Sequence, residues 1–237
     1  MLVSRRIAFA ALFAVAAPLV VSHASAQAPA APAAAADPKP APQAETAATV
    51  AKVQAFYDST TSFTSPFTQE FFVKQHNVRK ESKGKVTFAK PGKMAWDYET
   101  PAGNRVVSDG SILKVYEAAN KQMFEQNVDK SQYPAALSFL TGTGKLSDSF
   151  TFIMYPGAQM NFPGGDVLVG TPKQPNAAYT KVLFYVDSAT RHVRRALIVD
   201  AQGNRNRFDF IEPKVNVPTS PSTFQLVPPP GTQVIKP

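Results

Sequence analysis

Residues 84–116 read GKVTFAKPGKMAWDYETPAGNRVVSDGSILKVY, and their alternation decides the fold class. Val86 and Phe88 lie two apart, and so do Met94, Trp96 and Tyr98. Side chains of a strand point to opposite faces in turn, so each set marks one face of an extended segment. Val106 and Val107 then run into Ser108-Asp109-Gly110, a hairpin turn signal in which glycine accepts positive φ. Ile112, Leu113, Val115 and Tyr116 resume the strand pattern, and Met123 and Phe124 extend it.

Working outward, Phe67, Phe71 and Val73 fall on one side of a preceding strand. Before them, Val50, Val53, Phe56 and Tyr57 recur at helical spacing and predict an amphipathic helix over 45–60. Downstream, Tyr133-Pro134 through Leu140 reads as a second helix, with proline near its start and Gly142 just past its end. Strand patterns return at 150–155, 166–170, 179–186, 192–199 and 205–211. Gly164-Gly165, Asp187-Ser188 and Gln202-Gly203-Asn204 supply turns between them. The expected fold is mainly β: an open antiparallel half-barrel of about eleven strands with a helical lid. A closed β-sandwich is the alternative the pattern leaves open.

Three regions are expected along the chain. Residues 1–26 form an export signal. Arg5 and Arg6 supply the charge, Ile7 to Val21 the apolar run, and Ala24-Ser25-Ala26 the small residues for cleavage. That run has 15 residues, short of the ~20 a spanning helix needs. Residues 27–44 hold 9 alanines and 5 prolines and form a linker with little apolar surface to bury. Residues 45–237 form the folded domain.

Composition excludes several function classes. There is no cysteine, hence no disulfide, no thiol chemistry and no lipid anchor on cysteine. His76 and His192 lack metal-ligand spacing, so no metal and no cofactor is expected. No nucleophile elbow or helical zinc-protease motif occurs. Gly142-Thr143-Gly144-Lys145 fails as a phosphate loop, because Phe139 stands at its first glycine position and Leu146 at its hydroxyl position. Asp97 and Glu99 alternate with Trp96 and Tyr98 as an outward face would, and nothing converges on them for catalysis. The chain is therefore not expected to be an enzyme. The formal charge is +8, or +6 once Arg5 and Arg6 leave with the signal. Lys74, Arg79, Lys80, Lys83, Lys85, Lys90 and Lys93 cluster in one hairpin region. Behind an export signal this is no nucleic-acid site; a solvated hairpin is the ordinary reading and partner docking the alternative. The 17 phenylalanines are either plain core or the lining of a ligand cavity, and periodicity does not choose between them.

The order of landmarks resembles the LolA family of periplasmic outer-membrane lipoprotein carriers. The matching pieces are Phe67-Thr68-Gln69-Glu70-Phe71, Gly84 to Phe88, Lys90-Pro91-Gly92-Lys93-Met94-Ala95-Trp96-Asp97-Tyr98, Val107-Ser108-Asp109-Gly110 and Phe224 to Gly231. The resemblance implies a periplasmic monomer that takes lipoprotein acyl chains into an apolar cavity. It implies cargo handed over by an inner-membrane ABC complex and received by an outer-membrane acceptor. Carried onto this sequence, it places Phe71, Met94 and Trp96 on the cavity's strands, Leu137 on its lid, and Lys90 at the lid contact. Lys90 stands where the family has arginine, and Met94 where it often has an aromatic residue. A periplasmic lipid-binding or envelope-stress-sensing protein of related fold is the competing expectation.

Overall fold

The computed structural model describes residues 37–128, 135–175 and 177–236, and all from Pro38 onward belong to one structural unit. The expected export signal lies outside the described residues, as do linker residues 27–36 and the start of the second helix at Tyr133 and Pro134.

Helix α1 spans Gln43–Ser59 and buries Val50, Val53 and Tyr57 along one side. It begins two residues before the sequence boundary. Pro42 sits at the N-cap, its carbonyl accepting from Thr46 N at 3.0 Å, so the last linker residues already belong to the helix. The second helical segment is a 3-10 helix, Ala135–Thr141, and Gly142 follows it at φ +73°. A short helix, α2, covers Leu146–Ser149.

The strands are β1 (Ser62–Val73), β2 (Val78–Ala89), β3 (Lys93–Thr100), β4 (Arg105–Asp109), β5 (Ile112–Glu117) and β6 (Gln122–Asn127). After the helical interlude come β7 (Phe150–Pro156), β8 (Gly165–Pro172), β9 (Lys181–Asp187), β10 (Val193–Val199) and β11 (Arg205–Phe210). Two more strands, β12 (Lys214–Val215) and β13 (Gln233–Ile235), bring the total among the described residues to thirteen rather than eleven. Both are too short for an alternating pattern to reveal them.

All thirteen belong to one sheet in the order β13-β6-β5-β4-β3-β2-β1-β11-β10-β9-β8-β7, with β12 beside β1. The sandwich alternative, which needs two sheets, is thereby excluded. The ends β13 and β7 do not pair with each other, so the barrel is open. Every pair is antiparallel except β13 with β6. Yet one buried cluster contains Val106 and Leu113 near one end and Phe150 and Phe152 at the other. Side chains of distant strands meet this way only if the sheet curls, as the twist of consecutive strands requires. A smaller cluster of Ala95, Val107, Tyr116 and Met123 lies on the other face, covered by Phe224 and Leu226 of the C-terminal segment.

Candidate functional site

The site is the concave face of the sheet and its cover. Alternate positions of adjacent strands supply its floor: Phe63 and Phe67 from β1, Phe88 from β2, Met94 and Trp96 from β3, Phe208 and Phe210 from β11. Trp96 is at the centre and fully buried. Its ring stands edge to face with Phe67 at 4.9 Å and is tilted on Phe208 at 5.0 Å. Edge-to-face contact suits the ring quadrupoles. The apolar surround leaves the Trp96 Nε1–H without a hydrogen-bond acceptor among the described residues. An unmet buried donor costs about 1–3 kcal/mol, so this packing is less favourable than its area alone would indicate.

The cover consists of α1, the 3-10 helix and α2. Val50, Val53 and Tyr57 face the sheet beside Leu137, Phe139, Leu140 and Leu146. Phe139 bridges the layers, edge to face with Tyr57 at 5.0 Å and with Phe184 of β9 at 5.2 Å. Several polar contacts among the described residues hold the cover, among them Ala41 N to Met154 O at 2.8 Å and Lys173 N to Ser149 O at 3.0 Å. The Tyr57 hydroxyl accepts from Val193 N at 2.9 Å, and burial pushes its phenol well above the usual value. Within the cover, Gln54 Oε1 of α1 accepts from Leu146 N of α2 at 2.7 Å. Gly92 N, in the β2–β3 turn, donates to Thr141 O at 3.0 Å.

Lys90, at the same turn, reaches the C-terminal end of α1. Its ammonium donates to Tyr57 O and, at 3.2 Å, to Asp58 O. Carbonyls of the last helical turn lack intrahelical donors and carry the negative end of the helix dipole, so a cation is favoured there. Burial pulls the Lys90 pKa below the usual lysine value, and the nearby Asp58 charge partly restores it. Gly142 makes room for the lysine stem: a Cβ there would stand 2.8 Å from Lys90 Cδ and Cε. The basic residues of the hairpin are thus divided. Lys90 belongs to the cover contact, while Lys74, Arg79, Lys80 and Lys83 lie toward the opposite end of β2.

Of the four residues expected to line the cavity, Met94, Trp96 and Leu137 share one buried cluster. Phe71 stands outside it and is half-buried. It shares the strand face of Phe67, but a polar row intervenes: Tyr98 Oη donates to Gln69 Oε1 at 3.1 Å, and Gln69 Nε2 donates to Asn206 Oδ1 at 2.9 Å. Alternation assigns a residue to a face; it does not say how far along the strand the cover extends.

At the rim, α1 and the edge strand β7 separate around a groove of about 610 Å³. Ala47, Ala51 and Ala55 line it at i, i+4 and i+8, and their small side chains leave the gap. Val50, Phe150 and Phe152 line both this groove and the core, so the groove reaches the apolar interior. Sequence reading assigned these alanines no role. It also missed the Tyr57–Val193 bond, because its partners lie 136 residues apart.

The family model "Outer membrane lipoprotein carrier protein LolA" matches residues 58–227. An outer-membrane lipoprotein carrier protein from Chromobacterium violaceum is 26% identical over 196 residues, covering 80% of this chain and 88% of the relative. Another from Alkalilimnicola ehrlichii is 27% identical over 196 residues, covering 81% and 86%. An uncharacterized conserved protein of known structure from Thermus thermophilus aligns with a TM-score of 0.48 at 12% identity, covering 82% of this chain and 98% of its own.

Proposed function

Because the chain belongs to the LolA family of outer membrane lipoprotein carrier proteins, we propose that it shelters lipoprotein acyl chains against its concave face and shuttles them across the periplasm. The inner-membrane donor is an ABC lipoprotein-release complex, and the receiver is an outer-membrane lipoprotein acceptor. The observation that carries this reading is the aromatic floor under a helical cover that is a separate layer from the sheet, tied to it through contacts such as those of Lys90 and Tyr57. Each exposed CH₂ costs about 0.8 kcal/mol in water, so a lipoprotein's chains carry a cost on the order of tens of kcal/mol. A carrier must offer comparable apolar surface and still release it. Displacing α1 and the 3-10 helix would expose Met94, Trp96, Phe67 and Phe208 to the chains in place of Val53, Tyr57 and Leu137. The rim groove beside Ala47 and Ala51 is the place where cover and sheet already part, and acyl chains enter there in this reading.

The test has two arms. Mass spectrometry of the full chain recovered from a periplasmic fraction should detect acylated proteins with it. Titration with a fluorescent fatty-acyl probe should shift the emission of Trp96, the single tryptophan of the chain. Absence of acylated cargo together with unchanged Trp96 emission at saturating probe would refute the reading.

A further inference from the structure

The β1–β2 hairpin projects past β3 on one of its edges. Its strands pair over their whole length, from Ser62 opposite Ala89 to Val73 opposite Val78. On the β2 side the neighbouring strand stops early, with Lys83 opposite Thr100 as its outermost pair. The five residues from Val78 to Ser82 therefore have no strand beside them on that edge, a ribbon about 17 Å long at strand rise. On the other side β11 ends at Arg205, opposite Phe72.

Both faces of this ribbon carry apolar side chains. Phe71, Val73 and Val78 lie on the concave face, and Val78 is 42% exposed. Phe72 lies on the convex face, where the Arg79 guanidinium sits 4.6 Å and that of Arg205 5.3 Å from its ring centroid. Lys74, Lys80, Lys83 and Arg207 complete a collar of six cations around the tip. Three acids lie among them: Glu70, bridged to Arg79 at 2.8 Å, Glu81, and Asp200 in the adjoining β10–β11 turn. Two more acids, Glu99 beside Lys83 and Asp209 bridged to Arg207 at 2.9 Å, reduce the excess to one positive charge, while Lys74, Lys80 and Arg205 make no ion pair among the described residues. An exposed apolar ribbon edge is a liability that folding alone does not require.

We propose that this hairpin tip docks the protein on an anionic phospholipid bilayer. Phe71, Phe72, Val73 and Val78 enter the headgroup region while the surrounding lysines and arginines pair with lipid phosphates. The two-faced distribution selects this partner. A protein surface would cover one face of this rim of the sheet, whereas a membrane interface meets both faces of an inserted edge and solvates apolar and cationic groups together. The argument does not depend on acyl-chain binding, and cargo-free protein suffices to test it.

The full chain is floated with phosphatidylcholine vesicles, with and without phosphatidylglycerol. Binding is expected only to the anionic vesicles and should fall as salt rises. Each basic residue at such a surface contributes roughly a fivefold factor, so Lys74→Glu with Lys80→Glu should weaken binding by at least about tenfold. Lys52→Glu with Lys214→Glu changes the net charge equally at exposed sites on α1 and on β12, which pairs with the other end of β1, and should leave most binding intact. Because the chain has no cysteine, Val78→Cys accepts a single environment-sensitive dye, whose emission should move to the blue on binding. No vesicle binding by the wild type, equal loss in both charge variants, or a dye that stays in water while the protein binds would each overturn the proposal. So would equal affinity for a soluble polyanion such as polyphosphate, which would mark a site for phosphate charge alone.

Discussion

Replacing Lys90 by leucine should loosen the cover at the end of α1. Each of the two hydrogen bonds from the ammonium to the carbonyls of Tyr57 and Asp58 would contribute about 1.5–3 kcal/mol if nothing opposed it. Two features lower that figure. Tyr57 O also accepts from Thr60 N at 3.1 Å, so it keeps a partner when the lysine is gone. The downward pull of burial on the Lys90 pKa shows that its charge already bears a desolvation cost there, only partly offset by Asp58. The net effect should be about 1 kcal/mol, a fivefold rise in the population of the open state. Hydrogen exchange read by mass spectrometry should show it as about fivefold faster exchange in 53–59 and in 137–142, with β8 and β9 unchanged. Lys90→Arg should hold exchange at or below the wild-type rate, because its guanidinium fork can reach both carbonyls. Equal exchange in wild type, Lys90→Leu and Lys90→Arg would refute the reasoning and leave Lys90 a surface lysine.

Gly142→Ala should destabilise the protein twice over, by about 1–2 kcal/mol for a side chain at φ +73° and further through the contact at 2.8 Å with the Lys90 stem. In a Lys90→Ala background only the backbone part should remain, so urea unfolding of the double-mutant cycle should be non-additive; additive costs would show that the two residues do not touch. Tyr57→Phe keeps the ring but leaves the Val193 N–H without its acceptor, which should cost about 1–3 kcal/mol in urea unfolding; no change would mean that water replaces the hydroxyl. His192 packs against Phe56 of α1 at 5.2 Å, and burial holds its pKa below the usual 6.5, Arg194 adding to the effect and Asp187 opposing it. The unfolded chain then binds the proton more readily, so this contribution is complete above pH 6.5 and is lost as pH falls through the lower folded value. His192→Gln should flatten stability across that window, which lies above the range where Asp109 and Asp187 titrate; an unchanged slope would assign the loss to other groups.

Trp96, Met94, Phe88 and Val86 announce their strands and their shared face within a few residues of sequence. Strand alternation is imposed by the local backbone, and each residue's face follows from its neighbours. The same holds for Val50, Val53 and Tyr57 on α1, and for the turn at Ser108-Asp109-Gly110. Phe71 shows where such reasoning stops. It has the phase of Phe67, yet only the position of the cover determines that Phe67 is buried and Phe71 is not. Lys90 is one lysine among several in its hairpin by local pattern; the fold alone brings it to carbonyls 33 and 32 residues away. The parallel pairing of β13 with β6, and the groove left by three alanines, likewise have no local signature. Sequence by itself therefore determined the strands, their faces and, through its ordered landmarks, the family. The tertiary structure decided which part of the apolar face is covered, what holds the cover and which apolar residues stay exposed. Those depend on the curvature of the whole sheet and on contacts between distant segments, which neighbouring residues do not encode.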